Sequence, residues 1–370
     1  MSQIAVNLLW CVPGDVGGSE QYLVRQLRGL AEPANAHTHD ITMYVLPGLI
    51  ESHPALADIG RVVTAPIDGK SRPQRVAAEH TWLAWHDRQA DLVHHGGGTV
   101  PAVGGRPAVL TIHDLQYLEY PQYFSRFKHE YLVRRMPRSV RRAALITVPS
   151  EFVRSTVIEA FGVALERVVV VPHGVEPDIG VGATPSDVLK ARYGIGDRRM
   201  VMLPAATFPH KGHRFLLRLM AERWTDNELC LVMTGGTGLA EAEVVADIER
   251  LGLNDRVLRL GRVSANDRDG LLQMAEALVF PSEYEGFGAP LIEAMSLGTP
   301  IISSDRTAVP EVVGDAGLCL PLDIDAWADA LDIVGAKRAE FVAAGRRRVE
   351  RYSCEQSAAA LLAAYGVALA

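Results

Sequence analysis

Short apolar runs alternate with helical patterns along the whole chain. Ile4–Trp10, Ile41–Leu46, Asp91–His95, Ala108–Ile112, Ala143–Val148 and Val168–Val171 read as strands in the first half. Met200–Pro204, Cys230–Thr234, Val257–Leu260, Ala277–Phe280, Pro300–Ser304 and Gly317–Pro321 follow in the second. Such runs, bounded by turn residues, suit strands buried on both faces, as in parallel sheets covered by crossover helices. The helical patterns fall between them. Ser19 is placed to cap a helix through Tyr22, Leu23, Leu27 and Leu30, and Ser150 to cap one starting near Glu151. Phe215, Leu216 and Leu219 form an apolar face, and Cys354–Ala368 reads as a final helix. The chain is therefore expected to be α/β, with two Rossmann-like units. Glu176–Ser186 is rich in Pro and Gly turns, so the first unit is expected over residues 1–174 and the second over 175–353.

One segment concentrates the candidate chemistry. It runs from Ala275 to Thr299: the strand Ala277–Phe280, then Pro281-Ser282, then Gly286-Phe287-Gly288, and a helix opened by Ala289-Pro290 that closes before Gly298. The loop thus lies at the carboxyl end of a strand, where open α/β sheets bind ligands. Gly286 and Gly288 permit close backbone approach, and the free N–H groups of the helix start offer an anion site for which phosphate is the natural guest. Glu285 and Glu293 flank that site eight residues apart, placed to accept hydrogen bonds from hydroxyl-rich groups. The plainer account is a loop charge, a solvated helix residue and turn-forming glycines. The coincidence of spacing, glycines and proline favours the ligand reading.

Other segments add to it. The spacing Gly14, Gly17, Gly18 does not match G-x-G-x-x-G, and no acid closes Ile41–Leu46, which disfavours a dinucleotide site. His94 and His95 precede Gly96-Gly97-Gly98, expected to be a flexible loop, and Ala108–Ile112 delivers His113-Asp114, so both histidine-bearing loops are expected to open toward one cleft. Lys211 in AATFPHKGH precedes a helix and is placed to meet the same phosphates as the Gly288 helix. Residues 126–142 hold seven Arg or Lys and one Glu, which suits either an anionic lipid surface or a solvated helical face packing Tyr131, Leu132 and Met136 inward. Asp323-Ile324-Asp325 suits helix capping better than metal binding, so no catalytic metal is expected.

Composition narrows the classes. A chain of 370 residues fits two domains at roughly 150 each. A net charge of −7 argues against a general nucleic-acid binder. Cys11, Cys230, Cys319 and Cys354 are far apart and form no C-x-x-C, so neither a zinc site nor a disulfide framework is expected, and the compartment is expected to be reducing cytoplasm. The N-terminus has no basic stretch ahead of its apolar residues, and no uncharged apolar run reaches about 18 residues. Peripheral contact with the inner face of a membrane stays open through Arg126–Arg142.

The Glu285 to Glu293 segment resembles the E-x7-E signature of retaining glycosyltransferases of family 4, which have the GT-B fold: two Rossmann-like domains facing a central cleft. The run TIHDLQYLEYPQYFS resembles the family's acceptor-domain segment, and Pro172-His173-Gly174-Val175 its crossing between domains. Pro209-His210-Lys211-Gly212-His213 resembles a P-H-K-N-H subgroup, many of whose members transfer mannose or rhamnose, with Gly212 in place of Asn. The resemblance implies an acceptor-binding first domain, a donor-binding second domain and a last helix, about 354–370, that returns to the first. It implies a nucleotide diphosphate sugar as donor, GDP-mannose first and dTDP-rhamnose or UDP-hexose next. A glycan, lipid-linked or small-molecule acceptor in cell-envelope polysaccharide synthesis is expected. Lys211 with the amides of Gly288 and Ala289 would stabilise the departing diphosphate, Glu293 would hold the ribose, and Glu285 and His113 would orient the sugar. Gly17-Gly18 and Gly286-Phe287 would line the donor, with Arg262 near the base. The family usually has an Arg five residues before the Lys, whereas position 206 is Ala, leaving His210, Arg214 or Arg262 to compensate. A GT-B epimerase or hydrolase, a dinucleotide oxidoreductase and a non-catalytic sugar-nucleotide sensor are the competing classes.

Overall fold

The computed structural model describes residues 1–15, 17–35 and 39–370. The chain divides into two compact units, Met1–Glu176 with Tyr352–Ala370, and Pro177–Arg351. The first is built on β1 (Gln3–Asn7), β2 (Asp40–Val45), β3 (Arg61–Thr64), β4 (Leu92–His95), β5 (Ala108–Thr111), β6 (Leu145–Val148) and β7 (Val168–Val170), in the order β3-β2-β1-β4-β5-β6-β7. Every pairing is parallel. The edge strand β3 is not legible as a strand in the sequence: it is short, half-exposed and bounded by Arg61 and Thr64.

The second unit carries β8 (Arg199–Pro204), β9 (Leu229–Thr234), β10 (Val257–Gly261), β11 (Ala277–Phe280), β12 (Ile301–Ser304) and β13 (Gly317–Leu320). Their order is β10-β9-β8-β11-β12-β13, again all parallel. Each sheet reverses its winding next to its first strand, at β1/β4 and at β8/β11. In open parallel sheets such switch points, at the carboxyl ends of the strands, are where ligands bind. Among the described residues, no helix is long and apolar enough to cross a membrane.

Several helix starts carry the side-chain cap that local rules suggest. Ser150 Oγ accepts the N–H of Val153 at 3.2 Å, as its position suggests. At the first helix the cap lies elsewhere: Gly17, not Ser19, precedes the helix Gly18–Gly29, at φ 63°. A glycine tolerates that positive φ, and Glu20 reaches back to accept the N–H of Gly14 at 2.8 Å, so the turn closes two residues earlier. Val16, within the Gly14–Gly18 loop, lies outside the described residues.

The last helix, Cys354–Leu369, packs in the first unit against Gly18–Gly29. Asn35 Nδ2 joins the two helices by donating to the carbonyls of Gly29 and Glu355, at 2.9 and 3.0 Å. The approach is close enough that a Cβ on Gly29 would sit 2.0 Å from the Cys354 carbonyl oxygen. Gly29→Ala is therefore expected to destabilise the protein by about 1–3 kcal/mol in denaturant unfolding. Gly366→Ala, whose Cβ meets nothing within 4 Å, is the control and should leave stability unchanged or raise it by up to about 1 kcal/mol. Equal stability of Gly29→Ala and the parent would refute this docking.

Candidate functional site

Two loops meet at the β8/β11 switch point. After β8, Ala205–Phe208 leads into the turn Pro209–Lys211 and Gly212; after β11 come Pro281–Phe287. They touch through backbone. Gly212 holds φ 71°, and a Cβ there would lie 2.2 Å from the Pro281 carbonyl oxygen, so glycine satisfies both the left-handed conformation and the approach. This contact fixes where Lys211 points: its Nζ donates to Glu285 Oε1 at 2.6 Å and lies 6.0 Å from the centre of the Phe280 ring. Both charged side chains are largely covered, 21% and 10% exposed, so the pair is only partly screened by water.

Glu285 is held from its backbone as well. Its N–H donates to Thr307 Oγ1 at 2.9 Å. Thr307 is the one non-glycine with positive φ among the described residues, at 53°, a costly conformation for a β-branched side chain. Strain at the residue that positions Glu285 is the pattern found where a side chain must be aimed.

The helix Ala289–Ser296 starts as its sequence suggests. Gly288 caps it at φ 95°, Pro290 occupies the first turn, and the Leu291 N–H returns to the Gly288 carbonyl at 2.9 Å. Phe287 is buried and Glu293 is 6% exposed. Arg268 approaches the Glu293 carboxylate at 3.8 Å and pairs with Asp269 at 2.7 Å. Neither Thr307 nor Arg268 carries a local sequence signal, because each acts through a tertiary contact.

The three groups proposed to replace a cation at Ala206 separate clearly. Arg214 is held outward by Glu243 at 2.9 Å and Asp247 at 2.6 Å. His210 is buried, which pushes its pKa down to about 3, so it is neutral. Arg262 lies beside the turn that packs on Ala205 and Ala206: its Nε is 3.2 Å from where a Gly236 Cβ would be. Of the three, Arg262 is the charge next to the Ala206 loop.

In the first unit, His113 is half-buried, with its ring 5.9 Å from Trp10 and 5.3 Å from Tyr22. Its Nε2–H donates to the Gly96 carbonyl at 2.8 Å, leaving Nδ1 as the acceptor, and burial lowers its pKa below the usual histidine value. Gly17 and Gly18 form the start of the helix Gly18–Gly29.

The expectation for His94 and His95 is corrected: both are inside the sheet, 0% and 5% exposed, rather than open to a cleft. His94 is hydrogen-bonded to Tyr365 Oη and Thr111 Oγ1, each at 2.7 Å, and His95 Nδ1 lies 3.2 Å from Asn7 Nδ2. The loop after them is also packed: a Cβ on Gly97 would lie 2.6 Å from Trp10 Cγ. Gly96 and Gly97 serve close approach to Trp10, and Gly98 supplies a positive φ of 82°. Asp323 is a cap, its Oδ1 accepting the N–H groups of Asp325 and Ala326 at 3.0 Å, while Asp325 pairs with Arg223.

A profile described as "Glycosyltransferase Family 4" matches residues 16–179, and one described as "Glycosyl transferases group 1" matches 186–348. The chain is 33% identical over 315 residues to an MMP alpha-(1->4)-mannosyltransferase of Mycolicibacterium hassiacum, covering 78% of this chain and 73% of that protein. The chain belongs to glycosyltransferase family 4. It is also 32% identical over 250 residues to O-antigen chain mannosyltransferase B of Escherichia coli, a match spanning 66% of this chain and 65% of that protein, just under two thirds of that relative's length. Among solved structures, sucrose-phosphate synthase from Thermosynechococcus elongatus superposes with TM-score 0.77 at 21% identity, covering 99% of this chain and 98% of that one. Anabaena HepE in complex with UDP and glucose gives 0.75 at 19%, covering 99% and 100%. The fold of this family 4 chain is GT-B.

Its buried histidines set a pH dependence. Burial lowers His94, His95 and His210 to about 3 and His213 to about 4, so each is neutral when folded and protonates near its ordinary value of about 6.5 when unfolded. Their stabilisation is present above pH 6.5 and is lost as pH falls below it. Glu79 opposes them: burial raises it to about 7, so its contribution is present at low pH and is lost as pH rises toward 7. Burial lowers His39, His113 and His173 in the same sense and raises Asp87 and Glu283 alongside Glu79. The lowered histidines outnumber the raised carboxyls, which predicts a melting temperature that falls as pH is lowered from about 6.5 to about 4.5. A flat or rising profile in calorimetry over that window would contradict the buried, neutral histidines.

Proposed function

We propose that this family 4 protein moves a hexose, with mannose favoured, from a nucleotide diphosphate sugar to an acceptor hydroxyl, with retention of anomeric configuration. The observation that carries the reading is the Lys211–Glu285 pair set between two diverging loops, next to a glycine-capped helix start. The mannosyltransferase names of the relatives support mannose, and GDP-mannose is the first donor to test. The UDP and glucose of the Anabaena neighbour support a nucleotide-linked donor of the same general form.

In this reading the ammonium of Lys211 turns from Glu285 toward the diphosphate, and the N–H groups of Gly288 and Ala289 take further negative charge. Glu285 is then free to accept hydrogen bonds from the sugar hydroxyls. Glu293, held by Arg268, accepts from the ribose diol. His113, neutral and with Nδ1 as acceptor, is assigned to the sugar in the first unit. The bond from the anomeric carbon to the phosphate oxygen breaks, and the bond to the acceptor oxygen forms on the same face. The acceptor proton passes to the departing phosphate oxygen, so no side chain acts as base. No metal is required.

Removing a preorganised electrostatic contact of this kind costs about 100-fold or more in kcat. Lys211→Ala and Glu285→Ala are each expected to lose that much in a GDP-mannose transfer assay while keeping the native circular dichroism spectrum. Turnover at the parent rate by either variant would sink the site assignment. The same assay should run at full rate in EDTA, and a strict divalent-ion requirement would reject the metal-free mechanism.

A further inference from the structure

A second feature of the first unit lies apart from these residues. The helix Arg72–Ala78, His80, and the first turns of the helix Arg126–Arg142 enclose an open groove of about 660 Å³. Pro73, Val76 and Ala77 form one wall, and Phe127 and Tyr131 the other. Phe127 is 90% exposed, a large ring presented to water above apolar walls. Covering it would be favourable. The volume falls within the range of about 300–1,000 Å³ typical of small-molecule sites.

The rim is cationic. The Arg72 guanidinium lies 5.3 Å from the centre of the Tyr131 ring, and Lys128 Nζ lies 4.9 Å from that of Phe124. Neither is in an ion pair among the described residues, unlike Arg134 on the same helix as Lys128, which pairs with Glu130. Burial lowers the Lys128 pKa, the charge of Arg72 lowers it further, and Asp114 acts in the opposite sense. That last influence places the rim electrostatically next to the segment bearing His113. An occupant must therefore be apolar along most of its length and anionic at one end.

We propose that this groove binds the apolar chain of a phosphorylated amphiphile that carries a free hydroxyl on its polar end, with Arg72 and Lys128 on its phosphate, and that this hydroxyl is the acceptor of the hexose. Its role as acceptor rests on the transferase reading above; the groove's ligand class does not. Adsorption to a membrane surface is a different event, since it would use the outward cations Arg126, Arg138 and Arg141 and leave the groove unfilled.

The test is direct binding by calorimetry to the full chain, with farnesyl phosphate, farnesol and inorganic phosphate as probes. Farnesyl phosphate is expected to bind saturably at one site, at least tenfold tighter than either of the others. Ala77→Trp, which fills the groove, and Arg72→Glu should each weaken it at least tenfold. Phe127→Ser, at an exposed position that no core depends on, should weaken it too, and GDP-induced thermal shifts should be unchanged in all three. Farnesyl phosphate binding without a thermal shift from GDP, UDP or dTDP would fail the transferase reading and keep the groove assignment. Two results would overturn the assignment: no saturable farnesyl phosphate binding alongside vesicle adsorption that Ala77→Trp leaves intact, or a concentration-dependent dimer that Phe127→Ser abolishes.

Discussion

At the carboxyl end of the second sheet, β8 and β11 are hydrogen-bonded neighbours whose following loops must leave in different directions. That topological constraint creates a place where backbone can meet backbone without a helix between. Gly212 against the Pro281 carbonyl is the contact that results, and it is possible only because residue 212 has no side chain and accepts a left-handed φ. Lys211 and Glu285 are then carried on opposing loops at a distance set by the backbone rather than by their own long side chains. Less side-chain entropy is lost when such a pair forms, and less again when a ligand exchanges for one partner.

The groups around the pair favour one charge state. His210 and His213 are neutral through burial, so acidification to moderately low pH adds no positive charge beside Lys211. The side chains named for the site include three cations, Lys211, Arg262 and Arg268, and three carboxylates, Glu285, Glu293 and Asp269. Their formal charges cancel. An arriving diphosphate would therefore depend on backbone N–H groups for much of its stabilisation, and the glycine-capped helix start supplies such groups in fixed orientation.

How much of this is readable from sequence depends on the range of the interaction. The central strands of both sheets are legible because they are buried on both faces and therefore continuously apolar. The edge strand β3 is not, since Arg61 and Thr64 face water. Ser150 can be read as a cap because the bond spans three residues, whereas Ser19 misleads because Gly17 can take a backbone angle that outranks side-chain capping. Glu285, Gly288 and Lys211 are visible through local turn chemistry. Thr307 and Arg268 are not: each reaches its glutamate through packing between elements far apart in sequence. His94 and His95 look like loop ligands because they end a strand, yet their partners Tyr365 and Asn7 lie in distant elements and keep them inside.

The same distinction separates the two basic features of the chain. The cation-rich run from Arg126 to Arg142 reads as one patch in sequence, but folding divides it by the contacts its members make. Arg135 donates to the Val100 carbonyl and Arg142 to those of Ala102 and Gly104, so these two brace the loop after β4. Arg134 is neutralised within its own helix by Glu130. Lys128 is turned instead toward Phe124 and the groove, and Arg72 joins it there from a helix more than fifty residues earlier. What looks like a uniform surface charge is thus a structural brace at one end and a small, partly desolvated cationic rim at the other. The rim end combines charge with an apolar groove of about 660 Å³, and that combination distinguishes a ligand-sized site from a face that merely attracts anions.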